Sequence, residues 1–163
     1  MIYIGIDNGI SGALVALSDH PGPPIGMITM PILRARKGNE IDPEAVINWI
    51  DDVTGQCLAN ATVIIEEPVG SKSAKAAASM AGSFHALRAT MVLNGIRWHR
   101  ITPHEWQRAM LPGAKGDTKP RALAKARQLW PSESFLASDR CRVPHDGMID
   151  AALISEYGRI KNL

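Results

Sequence analysis

Apolar and polar positions alternate with period two over residues 2–7, and the turn dipeptide Asn8-Gly9 separates this run from a second β-rich stretch at 11–17. The pair predicts a hairpin. A Gly/Pro loop over 19–24 leads to a third strand at 26–31, closing an antiparallel meander, and residues 33–41 read as a polar, basic loop. Asp42-Pro43 supplies an N-cap and a first-turn proline, and Ala45, Val46, Trp49, Ile50 and Val53 recur at helical spacing, predicting an amphipathic helix over 43–57. A short buried strand follows at 62–67. The Ala-rich segment 71–93 predicts a long helix closed by Asn94-Gly95, and 97–101 a fifth strand. Thr102, Pro103 and Glu105 form a capping box for a helix through Met110, and further helices are expected over 117–130 and 145–160, joined by a polar connection at 131–144. A meander followed by alternating helices and strands points to an α/β layered fold.

The chain has 163 residues, 45% of them hydrophobic and 21% charged. That length predicts one domain over residues 1–163 with a core of its own, and no apolar run reaches the 18 or so residues of a membrane span. Cys57 and Cys141 fit neither a disulfide framework nor a zinc-ligand spacing. The opening MIYIGID lacks the features of a secretory leader, so a cytoplasmic location is expected.

A net charge of +2 conceals an uneven distribution. Up to Glu67 there are three Lys/Arg against nine Asp/Glu, and from Pro68 onward fifteen against seven. The basic portion is either a polyanion-binding surface or a set of ordinary solvated faces. Candidate phosphate contacts are Lys72 and Lys75 at the start of the long helix, where the helix dipole also favours anions, and Lys115 and Lys119 around a loop near the final helices.

The carboxylates are more specific. Asp7 ends a strand of mostly Ile and Gly, where packing gives no reason for a charge. Glu66 and Glu67 are adjacent on one strand and face opposite sides, so only one of them can share a site with Asp7. Asp146 and Asp150 lie one turn apart on the last helix, and Asp150 is aimed along the stripe of Leu153, Ile154 and Tyr157. Carboxylates brought together repel unless a cation lies between them, and an oxygen-only set suits Mg²⁺ or Mn²⁺. Singly, each has a plainer reading: Asp7 as a turn residue, Asp146 as a helix cap, and Glu66 and Glu67 as partners of basic residues.

Four motifs in order carry a resemblance across nearly the whole chain. Ile4-Gly5-Ile6-Asp7-Asn8-Gly9, Ile64-Ile65-Glu66-Glu67-Pro68, Ile101-Thr102-Pro103 with Trp106 and Met110, and His145-Asp146-Gly147-Met148-Ile149-Asp150-Ala151 resemble the RuvC family of Holliday junction resolvases. The last motif is similar to the D-G-x-x-[DE]-A of phage-type members. The resemblance implies a ribonuclease H-like α/β fold, with a mixed five-stranded sheet of antiparallel meander and parallel strands flanked by helices. It further implies that Asp7, Glu66, Asp146 and Asp150 hold two Mg²⁺, with Mn²⁺ able to substitute. Glu67 then becomes a second-shell or opposite-face residue, and Lys119 falls where members carry a functional lysine. His145 is either a neighbour that ligates or shuttles a proton, or a helix-start residue.

The implied activity is metal-dependent cleavage of four-way and other branched DNA by a homodimer, leaving 5′-phosphates. Two departures stand out. The last two acids are four residues apart where bacterial members space them by three, and Pro68-Val69-Gly70 lacks the aromatic that many members place after the strand glutamate. A non-cutting branched-DNA-binding module is the alternative, although such a binder gains nothing from carboxylates beside phosphates. An actin-like phosphotransferase would need two such domains, so no nucleotide cofactor is expected.

Overall fold

The computed structural model describes residues 1–35, 38–70, 73–111, 113 and 116–163. Its strands are β1 (Ile2–Asp7), β2 (Ala13–Ser18), β3 (Gly26–Thr29), β4 (Ile32–Ala35), β5 (Gly38–Ile41), β6 (Ala61–Glu66) and β7 (Arg97–Ile101). Its helices are α1 (Pro43–Val53), α2 (Ala74–Leu93), α3 (Pro103–Met110), α4 (Thr118–Leu129) and α5 (Asp146–Lys161). The main sheet has five strands in the order β3-β2-β1-β6-β7. The first three pair antiparallel, whereas β6 joins β1, and β7 joins β6, in parallel.

Strand alternation divides the interior into two layers. Ile4, Ile6, Val63 and Ile65 face α1 and α2, where they meet Val46, Ile50, Leu87 and Met91. Tyr3, Val15 and Ile64 face α3, α4 and α5 and pack with Trp106, Met148, Leu153 and Ile154. Each such aliphatic side chain contributes about 1.5–3 kcal/mol on full burial. The same alternation puts Asp7, two residues beyond Gly5, and Glu66, two beyond Ile64, on the α5 face.

α5 lies directly on β1. A Cβ on Gly5 would fall 2.1 Å from the Ala151 carbonyl oxygen and 2.4 Å from the Ser155 nitrogen, so only glycine permits this approach. Ser155, fully buried, donates its hydroxyl to the Tyr3 carbonyl at 2.6 Å and fixes the helix along the strand.

The expected caps are present. Asp42 Oδ1 accepts from the Ala45 N–H at 3.0 Å, and Thr102 and Glu105 form the reciprocal capping box of α3. Three expectations change. Residues 33–41 are not a loop, because β4 and β5 form a hairpin with Ile32 opposite Ile41. Ile41 is buried and Ile32 packs on the core, so two apolar ends anchor an otherwise polar ribbon. α1 stops at Val53, where the Thr54 hydroxyl bonds back to the Ile50 carbonyl and Gly55 and Gln56 take positive φ, which ends the helix short of residue 57. α2 starts at Ala74 with Ser73 as its cap, the two positions before Ser73 lying outside the described residues.

Candidate active site

Asp7 and Glu66 end neighbouring parallel strands one step beyond the Ile6–Ile65 pair, which brings their side chains together on one face. α5 supplies the other two acids from its first turns. His145 caps that helix, its Nδ1 accepting from the Met148 N–H at 3.2 Å, so Asp146 is the first helical residue and Asp150 lies one turn further. Gly147 lets the turn close on β1, since a Cβ there would sit 2.8 Å from Asp7 Oδ2 and 3.0 Å from Gly12 Cα. The glycine between the last two acids thus leaves room for both the Asp7 carboxyl and the Gly12 backbone.

Burial, then the Glu66 and Asp150 charges, push the Asp7 carboxyl up to about 8. Asp150 is pushed up to about 7 by burial and by Glu66 and Asp146, with Lys119 opposing. Burial also raises Glu66, against hydrogen bonds from Trp106 and Asp7 that favour its charged form. Three carboxyls therefore crowd one half-buried place and hold protons at pH values where ordinary carboxylates have lost them. Asp146 is more exposed and turns to Lys119, whose Nζ lies 2.6 Å from its Oδ2. Among the described residues no three such side chains stand as a closed metal cluster. The donor set nevertheless fits a hard divalent cation: every candidate ligand is a carboxylate oxygen, and the mutual repulsion is of the kind that positive charge relieves.

No protein-family model and no curated protein sequence matches the chain. Solved structures do. One, T. thermophilus RuvC in complex with Holliday junction substrate, aligns with a TM-score of 0.61 at 14% identity, over 99% of this chain and 96% of that one. A second Thermus thermophilus RuvC structure aligns with a TM-score of 0.58 at 15% identity, over 99% and 97%. The fold is ribonuclease H-like, as in RuvC.

On this RuvC fold the carboxylates lie where the parallel strands β1 and β6 end beneath the start of α5. Glu67 faces the opposite side, its Oε1 3.8 Å from Arg100 Nη1. His145 serves as the helix-start residue. Lys119 extends from the first turn of α4 to the rim of the acidic site, and Asp146 raises its pKa. Lys75 is exposed in the first turn of α2, beside an open groove of about 910 Å³ shared with the β4–β5 hairpin. Lys72 and Lys115 lie outside the described residues. No helix among the described residues is long and apolar enough to cross a membrane.

Two neighbours of the site escaped the sequence reading. Trp106, named from the sequence only as part of the third motif, is 1% exposed, and its indole N–H donates to Glu66 Oε1 at 2.7 Å. Asn8 is buried beside Asp7 and donates its side-chain amide to the Met80 carbonyl at 3.0 Å, tying the end of β1 to α2. The sequence signal for Trp106 was its place in the third motif, three residues after the proline of the capping box, which gives no hint of Glu66. For Asn8 the turn reading of Asn8-Gly9 concealed it.

Proposed function

We propose that this chain is a metal-dependent, structure-selective DNA endonuclease that resolves four-way junctions and other branched DNA. The observation that carries the reading is the convergence of Asp7, Glu66 and Asp150, with Asp146 at the rim, on one face of a RuvC-like sheet. These four would hold two Mg²⁺, or Mn²⁺ in its place, and RuvC-like resolvases are generally divalent-metal dependent. Bound there, the ions would supply Lewis-acid activation of water and neutralisation of the scissile phosphate, leaving a 5′-phosphate product without a covalent enzyme intermediate.

The chain's own residues do the positioning. Asp7 offers its carboxylate from the rigid end of a central strand, and Glu66 is held by the Trp106 indole. Lys119 sits 2.6 Å from Asp146 at the entrance, close enough to exchange that carboxylate for a phosphate oxygen. Lys75 at the exposed start of α2 would contact a DNA arm, a role that the sequence also suggests for Lys72 and Lys115, which lie outside the described residues. A junction with two equivalent strands to cut calls for two sites, and the exposed small residues Ala76, Ala78 and Gly82 on α2 support close approach of a second copy in a homodimer. Residues 1–163 act as a single nuclease domain. The phage-like closing motif supports a phage or prophage enzyme working in the bacterial cytoplasm.

The deciding experiment is cleavage of a labelled synthetic four-way junction beside linear duplex and a three-way fork, with Mg²⁺ or EDTA. Symmetric nicking of the junction in Mg²⁺ alone is expected. Tight junction binding with no cutting in Mg²⁺ or Mn²⁺ would replace this reading by that of a binding module.

A further inference from the structure

Buried tryptophans need a partner for their one N–H, and a backbone carbonyl serves that purpose. Trp130 follows this pattern, donating to the Gly22 carbonyl at 2.9 Å. Trp106 does not, because its Nε1 donates at 2.7 Å to Oε1 of Glu66, an ionisable group in the acidic site. The ring is buried, 1% exposed. α3 is started by the Thr102–Glu105 capping box directly after β7, and Trp106 packs in the core with Met110. An indole nitrogen is a donor only, and its ring cannot swap donor for acceptor as an amide flip can, so what it offers Glu66 Oε1 is always an N–H.

We infer that Trp106 is a positioning residue for metal binding: by holding Glu66 at Oε1 it disfavours ligation through both oxygens at once and so favours ions that take one oxygen per carboxylate. Small octahedral Mg²⁺ and Mn²⁺ are such ions, whereas Ca²⁺ accepts two oxygens of one carboxylate readily. Groups that orient a ligand from behind commonly change metal affinity or activity by about 10–100-fold when removed. The inference rests on the metal-dependent reading and adds the residue that sets its ion preference.

The test is Trp106→Phe, which keeps an aromatic ring and removes the N–H, with Trp130→Phe as the matched control. Mn²⁺ binding to the full chain is measured by the loss of the free-ion electron paramagnetic resonance signal, and Mg²⁺ and Ca²⁺ by competition. For Trp106→Phe, Mn²⁺ binding should weaken by about 10-fold or more, in the range typical of such outer contacts. The Ca²⁺ to Mg²⁺ affinity ratio should rise while junction binding in EDTA stays unchanged. Trp130→Phe should alter neither metal property. Wild-type Mn²⁺ affinity and Ca²⁺ discrimination in Trp106→Phe would overturn the inference alone, whereas absence of Mn²⁺ binding by the wild type would overturn the metal-dependent reading and this inference with it. Should Trp106→Phe not fold, the wild-type Trp106 indole ¹H–¹⁵N resonance is followed during Mg²⁺ titration. It should move with the site, and a resonance that stays fixed while backbone amides around Asp7 shift would equally overturn the assignment.

Discussion

Replacing Asp7 by Asn keeps the size of the side chain and removes its charge at the most crowded point of the acidic site. Asp7 is pushed up to about 8 by burial and by Glu66 and Asp150, so below that pH in EDTA the amide stands in for a neutral carboxyl and should leave the fold intact. Junction binding in EDTA should persist, because the change adds no negative charge against phosphate. Cleavage should fall by at least about 10³-fold, the rate equivalent of several kcal/mol of lost electrostatic stabilisation. A junction-cutting assay with purified D7N in Mg²⁺ checks this, and wild-type cutting would remove Asp7 from the machinery. Asp7 and Asp150 were legible in the sequence because a charge in an apolar strand end or along a core-facing stripe has no packing reason to be there, whereas the choice of Glu66 over Glu67 came only from the family resemblance. Trp106 was not, because its contact with Glu66 spans 40 residues and depends on how α3 docks. The ion pair from Lys119 to Asp146, 27 residues apart, was hidden for the same reason.

The contact of α5 with β1 joins the two halves of the site, and its weak points are glycines. Gly5→Ala would drive a methyl group to 2.1 Å from the Ala151 carbonyl oxygen, which is backbone and cannot swing aside. The helix must lift, at a cost of about 3 kcal/mol. A loss of that size in urea unfolding is expected, whereas a change within about 0.5 kcal/mol would mean that the helix is free to slide. Gly147→Ala meets a side chain, Asp7 Oδ2 at 2.8 Å, as well as Gly12 at 3.0 Å. Its effect should therefore fall more on metal binding and cleavage than on stability, a contrast that parallel Mn²⁺ titrations and urea melts of the two variants would reveal. Elements with strong local signals were readable: the β1–β2 hairpin, the α3 capping box, and α5 with its stripe. The β4–β5 hairpin was not, since Leu33 to Glu40 has loop composition, Leu33, Arg34 and Gly38 to Glu40 are exposed, and among the described residues of the ribbon only Ile32 and Ile41 touch the core. Helix ends at Val53 and Ser73 were displaced from expectation because Thr54 and Ser73 bond to nearby backbone, a choice that periodicity does not encode.

For the molecule as a whole, the acidic site sets how stability responds to pH. Asp7 and Asp150 have an ordinary value of 3.8, while in the folded chain they lie at about 8 and about 7. Between those limits the folded protein holds protons that the unfolded chain has released, so the slope of unfolding free energy with pH is negative. The stabilising advantage is complete below the unfolded value and is lost as pH rises through the folded ones. Asp19 and Glu105 are shifted down instead, by the Ser18 and Thr102 side chains respectively, so they act below the ordinary carboxylate range and leave the window from pH 5 to 8 to the site. In EDTA the melting temperature should therefore drop by several degrees between pH 5 and pH 8, at about 2–4 °C per kcal/mol for a chain of this size. Bound Mg²⁺ removes the cause, because the ion displaces the protons and compensates the charge. Added Mg²⁺ should raise the melting temperature more at pH 8 than at pH 5, where it competes with protons for the same oxygens. D7N should flatten the pH dependence in EDTA and reduce the Mg²⁺ gain, since it removes both the most strongly shifted proton site and a ligand. A wild-type melting temperature that climbed steadily from pH 5 to pH 8 in EDTA would show that these carboxyls are relieved by something other than protons, and the acidic site would then have to be rebuilt around that partner.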